Sequence, residues 1–113
     1  MLGSGFICDF YTSCLHKPRS ADRIKIVYSR TEEKARKFAQ KWSVPHSTTS
    51  MKEAINHPEV DTVIISLPND QRVEPVRLCA EAGKTVLCTK PLGRTAAEAK
   101  EMLELVEKAG IFH

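Results

Sequence analysis

The chain has 113 residues, 42% hydrophobic and 27% charged, with a formal net charge of +3. That length suits one domain with a real core, not a cofactor domain plus a substrate domain. Lys and Arg alternate with Glu, as in Glu32-Glu33-Lys34, so no single-sign block points to nucleic acid, and apolar runs such as Val63-Ile64-Ile65 cannot span a bilayer. No basic segment followed by an apolar stretch opens the chain, so no export signal is visible and a cytoplasmic location is expected.

Met1-Leu2 lead into Gly3-Ser4-Gly5-Phe6-Ile7-Cys8. This is close to the glycine turn that carries a buried strand into a helix in dinucleotide-binding folds. Gly3 permits the turn, Gly5 lets backbone amides approach a phosphate, and the helix from Phe6 aims its positive end at the same point. Cys8 stands where a small residue is needed for close helix–strand packing. The helix is expected to run to His16 before Pro18, with Phe6, Ile7, Phe10, Tyr11, Cys14 and Leu15 on its apolar face.

Ile24 to Tyr28 reads as a strand. Thr31 can cap the next helix, whose inward stripe is Ala35, Phe38, Ala39 and Trp42. A weak strand, His46 to Thr48, follows Val44-Pro45. Ser50 and Glu53 then have capping-box spacing for a short helix ending before Pro58. The stretch from Val60 to Leu67 contains an apolar run without polar alternation, the mark of a central parallel strand covered on both faces. A helix from about Arg72 to Ala82, stopped at Gly83, tolerates Pro75 in its first turn. Thr85 to Cys88 is the next strand. Thr95 and Glu98 open a last helix with Ala99, Met102, Leu103 and Val106 inward. Ile111 to His113 reads as the start of a further strand.

Successive βα units require right-handed crossovers and a parallel sheet. The expectation is an α/β, doubly wound sheet in the order 3-2-1-4-5, over residues 1–113, with an incomplete first strand and truncation at both ends. Cys8, Cys14, Cys79 and Cys88 form no CxxC pair and are expected as buried, reduced thiols. His16, His46, His57 and His113 show no ligand spacing, so no metal site is expected.

Three segments in order carry a resemblance: Gly3-Ser4-Gly5-Phe6-Ile7; Val60-Asp61-Thr62-Val63-Ile64-Ile65-Ser66-Leu67-Pro68-Asn69; and Ala82-Gly83-Lys84-Thr85-Val86-Leu87-Cys88-Thr89-Lys90-Pro91-Leu92. Together they resemble the N-terminal domain of the Gfo/Idh/MocA oxidoreductases, the family of glucose-fructose oxidoreductase and inositol dehydrogenase. The resemblance implies a Rossmann domain binding NAD or NADP, followed by an α/β substrate domain that these residues do not include. It implies cofactor contacts at Gly3, Gly5, Phe6, Ile7, Leu67, Pro68, Asn69, Lys90 and Pro91. Lys90 is implied as the catalytic lysine near the nicotinamide ribose, where it can orient a substrate hydroxyl and help its proton leave. The Lys90–Pro91 bond is expected cis. The family's Glu-Lys-Pro reads Thr89-Lys90-Pro91 here, and its Pro-Asn-x-x-His ends on Arg72. Arg72 itself reads as a solvated residue of a helix's first turn.

Folds that select NAD place Asp or Glu at the end of the second strand, on the ribose hydroxyls. Tyr28-Ser29-Arg30-Thr31 offers none. Ser29 and Thr31 can donate to a 2′-phosphate and Arg30 can pair with it, which favours NADP while NAD stays possible. The expected function is the cofactor portion of an NAD(P)-dependent dehydrogenase moving hydride to or from a sugar-like or polyol carbon. The alternative is a non-catalytic dinucleotide-binding module. A small-molecule substrate is expected only with the second domain, the chain alone is expected to be inactive, and self-association is expected.

Overall fold

The central strands bury side chains on both faces, and that alternation sets the layers. In the computed structural model, which describes residues 1–18 and 20–113, β1 (Ile26–Tyr28) pairs in parallel with β2 (His46–Thr48), and β3 (Thr62–Ile65) with β4 (Thr85–Cys88). Leu2 joins the two pairs by parallel bridges to Tyr28 and Ile65. Its amide donates to the Ile64 carbonyl at 2.8 Å, and the Ser66 amide donates to the Leu2 carbonyl at 3.0 Å. The order is therefore β2-β1-Leu2-β3-β4, the expected 3-2-1-4-5 with Leu2 standing for the first strand. Beyond β4, the Val86 amide donates to the Phe112 carbonyl at 3.0 Å, so the final residues run beside that strand.

Helices α1 (Phe6–Leu15), α2 (Glu32–Trp42), α3 (Met51–Asn56), α4 (Val73–Glu81) and α5 (Ala96–Ala109) alternate with the strands. Met1, Cys8, Val27, Phe38 and Ile64 form one core on the α1–α2 side. Leu2, Ile26, Tyr28, Val63, Ile65, Val76, Cys79, Val86, Met102 and Val106 form the larger core under α3, α4 and α5. Successive residues of β1 and β3 thus feed opposite cores, as the pleat requires. Two of the three expected caps form, Ser50 Oγ accepting from the Glu53 amide and Thr95 Oγ1 from the Glu98 amide, whereas Thr31 makes no side-chain cap bond to α2. Pro75 sits in the first turn of α4, and the Lys90–Pro91 bond is cis as expected.

Four expectations need correction. The first core strand begins at Ile26, not Ile24. On α1 the buried residues are Cys8 and Thr12, with Tyr11 and Leu15 partly covered, while Phe6, Ile7, Phe10 and Cys14 are exposed. Cys8 packs on the glycine turn, and residues 8, 12 and 15 follow it inward at helical spacing. Thr12 tolerates burial because its hydroxyl donates to the Cys8 carbonyl at 2.7 Å. On α5, Leu103 faces out, and Met102, Leu105 and Val106 pack inward instead. Of the four free thiols only Cys8 and Cys79 are buried; Cys88 is half-buried.

Candidate cofactor cleft

Every parallel strand ends at the same edge of the sheet, and an open cleft of ≈ 1120 Å³ lies there. Gly3 to Gly5 arrive after Leu2, Ser29 to Thr31 after β1, Ser66 to Pro68 after β3, and Thr89-Lys90 after β4. The cleft straddles the point where the strand order reverses, between β1 and β3, where ligands of open α/β sheets bind.

At its floor, Gly3 has φ of +119°, and a Cβ there would meet Cys8 Sγ at 2.9 Å and the Ser66 carbonyl oxygen at 3.1 Å. Gly5 differs: no protein atom lies within 4 Å of where its Cβ would stand. Gly5 caps α1 without any side-chain bond, so the first-turn amides of that helix open onto the cleft. An open approach to free amides at the positive end of a helix fits a dinucleotide's pyrophosphate. Across the turn, Ser4 Oγ donates to Ser29 Oγ at 2.9 Å, which ties the glycine turn to the end of β1.

Of the expected contact residues, Gly3, Gly5, Ile7, Ser29, Arg30, Thr31, Leu67, Pro68 and Lys90 line this cleft; Phe6, Asn69 and Pro91 do not. Phe6 is 82% exposed, and Asn69 opens a 3₁₀ turn, Asn69–Gln71, just beyond the wall. Ser29 is buried with its hydroxyl already engaged by Ser4. Thr31 sits at the N-terminal boundary of α2 but makes no side-chain cap bond.

Sequence reading overlooked the cationic wall of α2. Lys34, Lys37 and Lys41 line the cleft beside Arg30. Their spacing of three and four residues puts them on one helix face, a signal present in the sequence. Lys37 is paired with Glu33 at 2.6 Å and Lys41 with Asp9 at 3.0 Å. Among the described residues, Arg30 and Lys34 are in no ion pair. Asp9 also accepts from Trp42 Nε1 at 2.6 Å. Partial burial pushes its carboxyl up, but the Trp42 and Lys41 bonds outweigh that and hold it below its ordinary value.

Arg72 is the largest correction. It is not solvated but 5% exposed. Its Nε donates to the Leu67 carbonyl at 2.8 Å, one terminal nitrogen to the carbonyls of Thr89 and Pro91, and the other to Thr89 Oγ1 at 3.0 Å. The two positions where the chain departs from the resemblance are therefore in contact. Nothing local in the sequence signals this, because the partners lie five, 17 and 19 residues away.

The fold also gathers His46, His57 and Glu59, whose ligand atoms lie within 4.8 Å of one another, although their sequence spacing showed no such set. Two of the three already have protein partners. Glu59 holds Lys25 at 2.8 Å, and His57 Nδ1 accepts from the Glu59 amide. No helix of the described residues is long and apolar enough to cross a membrane.

Comparison with known proteins agrees with this fold. Mouse trans-1,2-dihydrobenzene-1,2-diol dehydrogenase is 34% identical over 113 residues, covering 99% of this chain and 34% of that protein. The chain thus spans about a third of the length of the curated relatives it matches. Levoglucosan dehydrogenase, in complex with NADH and levoglucosan, superposes with a TM-score of 0.83 at 28% identity, over 99% of this chain and 32% of that one. Biliverdin reductase from Synechocystis sp. PCC 6803, in complex with biliverdin and NADP+, gives 0.85 at 26% identity, over 98% and 34%. Residues 1–112 match the profile of the Gfo/Idh/MocA oxidoreductase family, NAD-binding Rossmann fold, and the chain belongs to that family.

Proposed function

We propose that this chain is the cofactor half of an NADP-preferring dehydrogenase acting on a sugar-like or polyol hydroxyl. The carrying observation is the end of β1, where Ser29-Arg30-Thr31 replaces a carboxylate and Lys34 adds a second unpaired cation at the cleft wall. A carboxylate there would repel a 2′-phosphate; Arg30 and Lys34 attract one, and the uncommitted Thr31 hydroxyl can donate to it. Gly5 leaves room for the pyrophosphate. Lys90, exposed at the far side of the cleft, is the residue proposed to orient the substrate hydroxyl. When bound, the nicotinamide supplies or accepts the hydride.

The dihydrobenzenediol and levoglucosan dehydrogenases that this chain resembles support a diol or sugar-like substrate, and the neighbours bound to NADH and NADP+ are compatible with either cofactor. A substrate hydroxyl must be held against the nicotinamide with water excluded, so turnover is proposed to need the second domain. Phe6 and Phe112, both strongly exposed and outside the cleft, supply apolar surface for the proposed self-association; light scattering of the isolated chain showing a monomer would remove that part. For the cofactor, titration of the complete polypeptide with NADPH and NADH is decisive. We expect NADPH to bind at least about ten-fold tighter and Arg30→Asp to reverse the order, since a charged hydrogen bond is worth roughly 1.5–3 kcal/mol. Equal affinities in the wild type would refute the NADP assignment.

A further inference from the structure

A buried guanidinium with no counter-ion is unusual enough to need a reason. Among the described residues no carboxylate lies within ion-pair distance of Arg72. Its charge is instead met by four oxygens: the Leu67 carbonyl after β3, the Thr89 and Pro91 carbonyls after β4, and Thr89 Oγ1. Burying a cation against carbonyl dipoles alone is costly compared with an apolar side chain of the same size. The arrangement makes sense if the position of those oxygens matters.

The two β4-side carbonyls flank one residue. A single terminal nitrogen of Arg72 donates to the carbonyl before Lys90 and to the carbonyl after it. We propose that Arg72 is a positioning residue for Lys90, fixing the peptide units on both sides of it so that the ammonium projects toward the nicotinamide end of the cleft. The Leu67 bond anchors the same guanidinium to the end of the neighbouring strand β3, so the two strand ends are held at one spacing. Only a planar fork reaches these acceptors together; a lysine ammonium offers a single nitrogen. This inference rests on the cofactor reading above.

The test compares two ligands on the complete polypeptide: NADPH and 2′-phospho-ADP-ribose, the same molecule without its nicotinamide ring. Arg72→Lys keeps the charge and loses the fork. We expect its NADPH affinity to fall about ten-fold, equivalent to one lost charged hydrogen bond, while 2′-phospho-ADP-ribose binds within about two-fold of wild type. A merely structural arginine would weaken both ligands in parallel, and that result, or no change in either, overturns the proposal. If Arg72→Lys does not fold, Thr89→Val removes one acceptor, leaves the carbonyl bonds, and is expected to give the same selective loss at about three-fold. Wild-type protein binding neither ligand would remove the cofactor reading and this inference with it. Wild type that binds both, with parallel losses in the variants, would remove this inference alone.

Discussion

Gly3 and Cys8 fit against each other with no space to spare: a Cβ on Gly3 would stand 2.9 Å from the Cys8 sulfur. That contact sets the rotation of α1, sends Phe6 and Phe10 outward, and fixes where the helix's free amides point. The glycine turn is thus a packing device as well as a ligand approach, and its two glycines do different things.

Gly3→Ala meets both the sulfur and an unfavourable backbone, since φ is +119°. The expected loss of stability is about 2–4 kcal/mol by urea denaturation. Cys8→Ala opens the contact, so the double variant should lose less than the sum of the single changes. Strict additivity would show that the sulfur contact is not the cause.

Gly5→Ala should behave differently, because nothing lies within 4 Å of its Cβ position and its φ is −92°. Stability is expected within about 1 kcal/mol of wild type, the cost of alanine at a helix N-cap. Dinucleotide affinity is expected to fall about ten-fold or more, because the methyl occupies the approach to the first-turn amides. Unchanged affinity by calorimetric titration would count against a pyrophosphate at this turn.

The thiols make a third test. Burial pushes Cys79 up from 9.0 to about 12, and burial likewise raises Cys8 and Cys88. Iodoacetamide at pH 8 should therefore modify exposed Cys14 first, and Cys8 and Cys79 only on unfolding. Peptide mapping that finds Cys79 modified in folded protein contradicts this. The same shift predicts alkaline sensitivity. Between pH 9 and about 12 the unfolded chain releases a Cys79 proton that the folded chain keeps. Its stabilising contribution is thus complete below pH 9 and lost as pH rises through that window. Cys79→Ala should flatten the alkaline fall of the unfolding midpoint; an unchanged slope would show that another group governs it.

Much of the architecture could be read from local pattern. Val63-Ile64-Ile65 lacks polar alternation because both of its faces are covered, so a central strand was legible from three residues. Ser50 with Glu53 and Thr95 with Glu98 announced helix starts because a hydroxyl three residues ahead of an amide can close that bond in any fold. On α1 the same logic misled. Phe6, Ile7, Phe10, Cys14 and the partly covered Tyr11 and Leu15 form a plausible apolar stripe, and tertiary packing, Cys8 against Gly3 and the α1–α2 core, decides which face turns inward.

Local pattern carried the alternation of helices and strands and the glycine turn, because these depend on neighbours within one or two turns of chain; the parallel pairing followed from that alternation, since βα units close only through right-handed crossovers. Tertiary structure alone decided the rest of the site. Lys34, Lys37 and Lys41 gain meaning only when α2 is laid beside the cleft. Arg72 is a surface residue or a buried clamp depending on carbonyls delivered by two separate strand ends. A buried charge is tolerated only where its acceptors converge, and convergence of distant backbone is a property of the folded sheet, not of any stretch of sequence.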